Sequence, residues 1–293
     1  MILEVEMRIA EKAARIAGQL ALDLIHDGTV NFKDNDEGPV TKADLAADVA
    51  IREILSHAFP NDQIITEESF PKGAAVPDHG RVWFVDPVDG TSYFVKGEDD
   101  YAVMIGLVVD QEPVLGVVFQ PATGVLWRAI DTRAASLHFL PMFYCERLEA
   151  NHLKPFRCDV SHQQIINSEP TAVASLRNPT EFIEFLTAEL AVARIVKKGS
   201  VGLKLALIAG GQADFYLTST KRMKLWDTCA PSVILSAAGG VTKSLDGHKL
   251  RFFGSIEHGC EIYAATPGGE QWLKERLPKA IKKWQHRVTS NKL

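Results

Sequence analysis

Large apolar residues recur at helical spacing from residue 3 to residue 27, at Leu3, Ile9, Ile16, Leu20 and Leu24, and Gly28 follows as a stop. The pattern predicts a packing helix. Residues 28–40 are polar and rich in turn formers, which predicts a loop that can sit over a site. A second helical pattern begins after Thr41, with Leu45, Val49, Ile51, Ile54 and Leu55 in register. Thr41 and Asp44 have the spacing of a capping box, and an acid in the first turn is also placed to reach a neighbouring hydroxyl. Beyond the turn Pro60-Asn61-Asp62, Gln63 to Thr66 reads as a short strand running into Glu67-Glu68. Paired glutamates fit a solvated surface, but on an extended segment they point to opposite sides, so one can face a site.

Beyond Tyr101, residues 101–109, 113–120 and 125–130 are β-rich and separated by turn signals, which predicts an antiparallel meander. Residues 131–162 show no clean period and read as a connection with short strands. Strand and helix then alternate, with strands at 171–175, 213–217 and 260–265 and helices at 179–193, 200–209, 228–238 and 270–288. This predicts an N-terminal α+β half, residues 1–132, packed against a C-terminal α/β half, residues 133–293, with a site in the cleft between them.

Between the two patterned regions lies Trp83 to Thr91, WFVDPVDGT. Its apolar run stops at two carboxylates, Asp86 and Asp89. Pro87 stiffens the turn between them and Gly90 frees the backbone to bend, so the two acids can converge. Thr91 is expected to cap a short helical turn whose N–H groups would face an anion. Acids beside an anion site call for a cation between them. An Asp-Pro/Asp-Gly surface turn accounts for Gly90 equally well, though not for an apolar strand that delivers two acids at its tip.

Composition narrows the class. The chain has 293 residues and a formal net charge of −5, which argues against a nucleic-acid polymer or a membrane surface as partner. No apolar run is long enough to span a bilayer and no signal peptide is visible, so the expected location is cytoplasmic. Four cysteines without C-x-x-C spacing suggest free thiols.

Glu67-Glu68, Asp86-Pro87-Val88-Asp89-Gly90-Thr91 and Trp226-Asp227-Thr228-Cys229-Ala230-Pro231, closed by Ala238-Gly239-Gly240, together resemble the signature blocks of the inositol monophosphatase family. The resemblance runs in order from about Val40 to Gly240. It implies a layered αβαβα sandwich and a magnesium-dependent, lithium-sensitive phosphatase using two or three Mg²⁺ ions. By the same resemblance Glu67, Asp86 and the Val88 carbonyl would ligate one ion, and Asp86, Asp89 and Asp227 another. Asp44 would accept from the Thr91 hydroxyl, Thr91 would orient the attacking water, Glu67 would help activate it, and the N–H groups of Gly90 and Thr91 would hold the phosphate. Hard oxygen donors without Cys or His suit Mg²⁺. Taken alone, Asp227 before a helical pattern would be an N-cap.

Within the family the Asp227 block, Gly38 to Asp44 and Lys204 resemble the 3'(2'),5'-bisphosphate nucleotidase branch. Lys197, Lys198, Lys204 and the run Lys221-Arg222-Met223-Lys224 would supply cation for a second phosphate, although 221–224 also reads as a solvated loop. Ser175-Leu176-Arg177 resembles part of a nucleotidase Ser-Arg-Ser-His element, and Gly199 and Ser200 flank the Lys204 segment. The chain departs from both branches at Ser92-Tyr93 and through 131–155. The expected substrate is a small phosphorylated metabolite: a nucleoside bisphosphate first, an inositol or sugar phosphate as the alternative, with a non-catalytic binding protein disfavoured because all the acids are present. The reading leaves room for a homodimer.

Overall fold

The computed structural model describes residues 3–25, 30–32, 39–135, 142–150, 152, 154–163, 169–176 and 180–290. Gly28, Gly38, Arg177 and Pro179, on which parts of the sequence reading rest, lie outside these residues.

The chain opens with α1 (Glu4–Leu24), a two-stranded ribbon of β1 (Val30–Phe32) and β2 (Pro39–Thr41), and α2 (Lys42–Ala58). Leu3, Ile9 and Leu24 pack as expected, but most of the buried face of α1 is made of small residues. Met7, Ala10, Ala13, Ala14, Ala17, Gly18 and Ala21 are buried, whereas Ile16 is exposed. Small side chains let the helix lie close on the sheet: a Cβ on Gly18 would stand 2.5 Å from the Phe119 ring. In α2, likewise, Ala43, Ala47, Ile51 and Leu55 face inward with Asp44 and Asp48, while Leu45 and Val49 face out.

A seven-stranded sheet follows in the order β3 (Gln63–Thr66), β4 (Arg81–Asp89), β5 (Ala102–Val109), β6 (Glu112–Gln120), β7 (Val125–Asp131), β8 (Phe143–Leu148) and β9 (Phe156–Arg157), with the four-residue helix α3 (Thr91–Phe94) after β4. β4 through β7 form the expected antiparallel meander. The sheet continues to Arg157, so a boundary near residue 132 falls inside it rather than between two halves.

The second sheet has five strands in the order β11-β10-β12-β14-β13, built from β10 (Thr171–Ser175), β11 (Arg194–Lys198), β12 (Phe215–Thr218), β13 (Val241–Ser244) and β14 (Ile262–Ala265). Its helices are α4 (Glu181–Glu189), α5 (Val201–Ala209), α6 (Leu225–Ala237) and α7 (Pro267–Ser290). β11 and β13 were not expected; both are edge strands with polar or basic residues, RIVKK and VTKS, that hide the period of two.

Helices and sheets alternate in five layers: α1 and α2, the large sheet, α5 and α6, the small sheet, then α4 and α7. Both faces of the large sheet are therefore covered. In β5, Val103, Ile105 and Leu107 point toward α1 and α2, and Ala102, Met104 and Val108 toward the central helices, which explains its unbroken apolar run. Gly106 and Gly116 are partners across β5 and β6. A Cβ on Gly106 would meet Cys229 Sγ at 2.5 Å, and one on Gly116 the Ala230 carbonyl oxygen at 2.2 Å. The two glycines open a trough in the sheet, and α6 lies in it.

Candidate active site

β4 does not end at Val85; it continues through both acids to Asp89. Asp86 pairs with Met104 and Asp89 with Ala102, so β4 carries one extra residue there. In an even strand, residues three apart point to opposite faces; the bulge turns Asp86 and Asp89 into one cavity. The Val88 N–H, freed from the ladder, donates to Asp86 Oδ1 at 3.0 Å. Gly90 caps α3 with φ 98°, and Thr91 is the first helical residue rather than the cap. Its hydroxyl faces two acceptors, Asp44 Oδ1 and the Val88 carbonyl, each at 3.0 Å. Since it has one proton, only one of the two is served at a time.

Asp44 divides its oxygens. Oδ2 completes the capping box, accepting the Thr41 N–H at 2.8 Å and the Thr41 hydroxyl at 2.5 Å, and Oδ1 is left for Thr91. Burial holds this carboxyl above the usual range against those hydrogen bonds. Glu67 follows β3, its N–H donating to the Val85 carbonyl at 3.1 Å, and parallel pairing of Thr66 with Val85 sets it beside Asp86. Glu67 lines the cavity and Glu68 does not.

Asp89 is held from the other sheet's side. Its Oδ2 accepts from Ser200 Oγ at 2.5 Å and the Gly202 N–H at 3.1 Å, both at the start of α5. Ser200 is thus a support for Asp89 and does not line the cavity. Gly199 does, and it has no room for a side chain: a Cβ would stand 2.4 Å from the Tyr93 ring. Lys204 is buried in the cavity wall, its Nζ donating to the Gly199 carbonyl at 2.7 Å, 5.4 Å from the Tyr216 ring centroid, with its charge acting on Asp89. Burial nevertheless raises the Asp89 carboxyl.

Asp227 is not an N-cap. It is the third residue of α6, and its Oδ2 accepts the N–H of Lys224, the cap residue, at 2.8 Å. Pro231, four residues on, has no N–H to give the Asp227 carbonyl. Although some 140 residues separate it from β4, Asp227 lines the same cavity, and burial, then Asp89, then Glu67 hold its carboxyl well above the usual range. Sequence reasoning missed what braces the next residue: His258 Nε2 lies 2.7 Å from Thr228 Oγ1, and burial lowers the imidazole to about 4, so it is neutral near pH 7.

The cavity is about 760 Å³, and Glu67, Asp86, Val88, Asp89, Gly90, Thr91 and Asp227 share its wall with Ser175. Cations and aromatic rings complete it: Lys72, Arg222 and Lys224, with Phe70, Tyr93, Tyr216 and Trp226. Lys221 turns away to Glu261 at 3.4 Å, and Lys224 Nζ is bound to Glu257 at 2.7 Å. Arg222 belongs to the basic run 221–224 marked in the sequence, whereas Lys72, Tyr216 and Glu257 had no local motif to mark them. Among the described residues no three His, Cys, Asp or Glu side chains close into a shell that would enclose an ion unaided. The set nevertheless fits Mg²⁺, which keeps several waters and takes few carboxylates, and the unrelieved repulsion among Asp89, Glu67 and Asp227 is what a divalent cation would remove.

Comparison with known proteins identifies the family. The chain matches the profile of the inositol monophosphatase family over residues 3–283. It is 32% identical over 248 residues to the 3'(2'),5'-bisphosphate nucleotidase CysQ of Escherichia coli, covering 82% of this chain and 90% of that one. It is 27% identical over 253 residues to the inositol-1-monophosphatase of Bacillus subtilis, covering 83% and 87%. The structure superposes on the inositol monophosphatase of Thermotoga maritima with TM-score 0.72 at 24% identity, over 95% of this chain and 98% of that one. The chain belongs to the inositol monophosphatase family and is a phosphomonoesterase.

Proposed function

We propose that the chain hydrolyses a nucleoside 3'(2'),5'-bisphosphate, releasing one phosphate with Mg²⁺ as cofactor. The observation that carries this reading is one cavity wall that combines four converging acids with Lys72, Arg222 and Lys224 and with aromatic rings. A monophosphate needs only the acids and their ions; a second phosphate and a base give the cations and the rings something to bind. The likeness to the Escherichia coli nucleotidase supports the same choice.

Glu67, Asp86, Asp89, Asp227 and the Val88 carbonyl would hold the ions. Bound Mg²⁺ supplies charge for the phosphate oxygens and the leaving alkoxide and makes water a better nucleophile. Donation from Thr91 to Asp44 turns the lone pairs of the Thr91 hydroxyl toward the cavity, where they orient the attacking water, and Glu67 accepts its proton. The N–H groups of Gly90 and Thr91 hold the scissile phosphate. Arg222 and Lys72, exposed in the cavity, receive the second phosphate, while Lys204, committed to the Gly199 carbonyl, steadies Asp89.

Phosphate release from adenosine 3',5'-bisphosphate, inositol 1-phosphate and fructose 1,6-bisphosphate, with and without Mg²⁺, tests the proposal. The highest kcat/KM is expected for the nucleotide, and only with Mg²⁺. Preference for inositol 1-phosphate would favour the alternative to which the Bacillus subtilis relative points.

A further inference from the structure

A pair of cysteines lies outside the active site, at the far edge of the large sheet. β8 and β9 are antiparallel, with Glu146 opposite Arg157 and Arg147 opposite Phe156. One step along this register sets Cys158 opposite Cys145, and the Cys158 N–H donates to the Cys145 carbonyl at 2.9 Å. Directly opposed residues project to the same face, and both cysteines enter the same apolar cluster. A hydrogen-bonded antiparallel pair places its Cα atoms ~5.5 Å apart, inside the ~4.4–6.8 Å range that a disulfide spans. Both cysteines are free and buried.

We propose that Cys145 and Cys158 form an oxidisable dithiol that a peroxide closes reversibly into an intrachain disulfide. The two thiols are not equivalent. The neighbouring Cys145 thiol, helped by the charge of Arg147, holds Cys158 below the usual thiol range, whereas Cys158 and burial push Cys145 up. Cys158 is the nucleophile. Its thiolate attacks one oxygen of hydrogen peroxide and the O–O bond breaks, giving a Cys158 sulfenic acid and hydroxide, which takes up the proton released when the thiolate formed. Cys145 then attacks the sulfenic sulfur; the S–S bond forms, the S–O bond breaks, and the oxygen leaves as water with the Cys145 proton. Two thiols and one peroxide become one disulfide and two waters. A dithiol reductant reverses the step by exchange.

Access comes from the position of the pair. β9 has two residues, both exposed, and is the last strand of the sheet, so it can open locally without unfolding the core. The other cysteines lack these features: Cys229, in α6, is buried against the large sheet and its thiol is pushed far up by burial, and the Cys260 thiol is also raised. The disulfide would lock β8 to the segment that continues to Val160, whose N–H donates to the Ala238 carbonyl at the end of α6.

The test is oxidation of the full-length protein by hydrogen peroxide, followed by alkylation of remaining thiols and peptide mapping. A Cys145–Cys158 cross-link is expected before Cys229 or Cys260 reacts, with loss of two hydrogens from the intact mass and full return on treatment with dithiothreitol. Cys145→Ser keeps a hydroxyl to donate to Cys158 and removes the resolving thiol, so dimedone should trap a sulfenic acid at Cys158. Cys158→Ser should yield neither cross-link nor adduct. The proposal is overturned if Cys145 and Cys158 both remain alkylatable after Cys260 has been oxidised, if the cross-link joins either of them to Cys260, or if dimedone labels Cys145 in Cys158→Ser.

Discussion

The acids and the cations of the cavity are held by different means. Asp44, Asp86, Asp89 and Asp227 each accept a backbone N–H, from Thr41, Val88, Gly202 and Lys224 respectively. Their positions are set by a capping box, a bulge and two helix starts. Apart from Lys204, which donates to the Gly199 carbonyl, the cations are tied, where they are tied, through side chains: Lys224 to Glu257 and, just outside the cavity, Lys221 to Glu261, while Lys72 and Arg222 are exposed. A backbone anchor cannot move without the fold, but a side-chain pair on a loop exchanges partners at a cost of about 1 kcal/mol or less. The chemistry of bond cleavage is therefore fixed in the architecture, and the choice of substrate is left to parts that evolution can alter one residue at a time.

The hardest test of the rigid side is Asp86→Asn. The bridging position assigned to this acid means that one lost charge weakens both ions, and kcat should fall by roughly 10³-fold for every substrate. Loss confined to one substrate class would contradict the assignment. Asp44→Asn separates support from ligation. If Asp44 acts by holding the Thr91 hydroxyl, kcat should fall by about 10²-fold while the Mg²⁺ concentration for half-maximal activity stays within a factor of two or so. A parallel loss of Mg²⁺ affinity would make Asp44 a ligand.

On the adaptable side, Arg222→Ala and Lys204→Ala should behave differently. Removing a charge-assisted contact typically costs ~1.5–3 kcal/mol, so Arg222→Ala should lower kcat/KM for adenosine 3',5'-bisphosphate by roughly one to two orders of magnitude and leave inositol 1-phosphate nearly unchanged. Lys204→Ala, which removes charge from beside Asp89, should reduce both substrates by the same factor. The reverse pattern would return the second phosphate to Lys204.

This division also explains what the sequence made legible. The acids sit in contiguous blocks because their anchors are local: Thr41 with Asp44, Asp86 with Val88, Lys224 with Asp227. Such spacing can be read without a structure, and so can the meander, whose β-rich runs are separated by turn signals. The Ser200 contact with Asp89 spans 111 positions and leaves no local trace. Nor does the role of Lys204, because nothing in GSVGLKLALIAGG shows that its ammonium turns back to the Gly199 carbonyl. The small-residue part of the buried face of α1 was not legible for a different reason: hydropathy weights Ile16 above Ala13 or Ala17, but close packing on a sheet selects for small size.

The smallest expected effect concerns the resting cost of the acid cluster. Burial and the nearby charges of Asp89 and Glu67 hold the Asp227 carboxyl above its usual range, so above pH ~4 the metal-free native state binds a proton that the unfolded chain has released. Its contribution therefore falls as pH rises through that window and recovers as pH is lowered from neutral. Asp44 and Asp89, also raised by burial, act in the same direction. Asp131 and Glu270, lowered by Arg133 and by Lys243 and Lys274, act oppositely, losing stability as pH falls through their depressed values. Metal-free protein should consequently be most stable at mildly acidic pH. Asp227→Asn removes one charge from the cluster while keeping an oxygen for the Lys224 N–H, so at pH 7.5 its metal-free Tm should exceed that of the parent by a few degrees, the scale of about 1 kcal/mol in a chain of this size. Its Tm should also fall less steeply with rising pH, and saturating Mg²⁺ should raise it less than it raises the parent. A variant with lower metal-free Tm and an unchanged pH slope would mean that Asp227 stabilises the fold through α6 and carries no electrostatic cost for a cation to relieve.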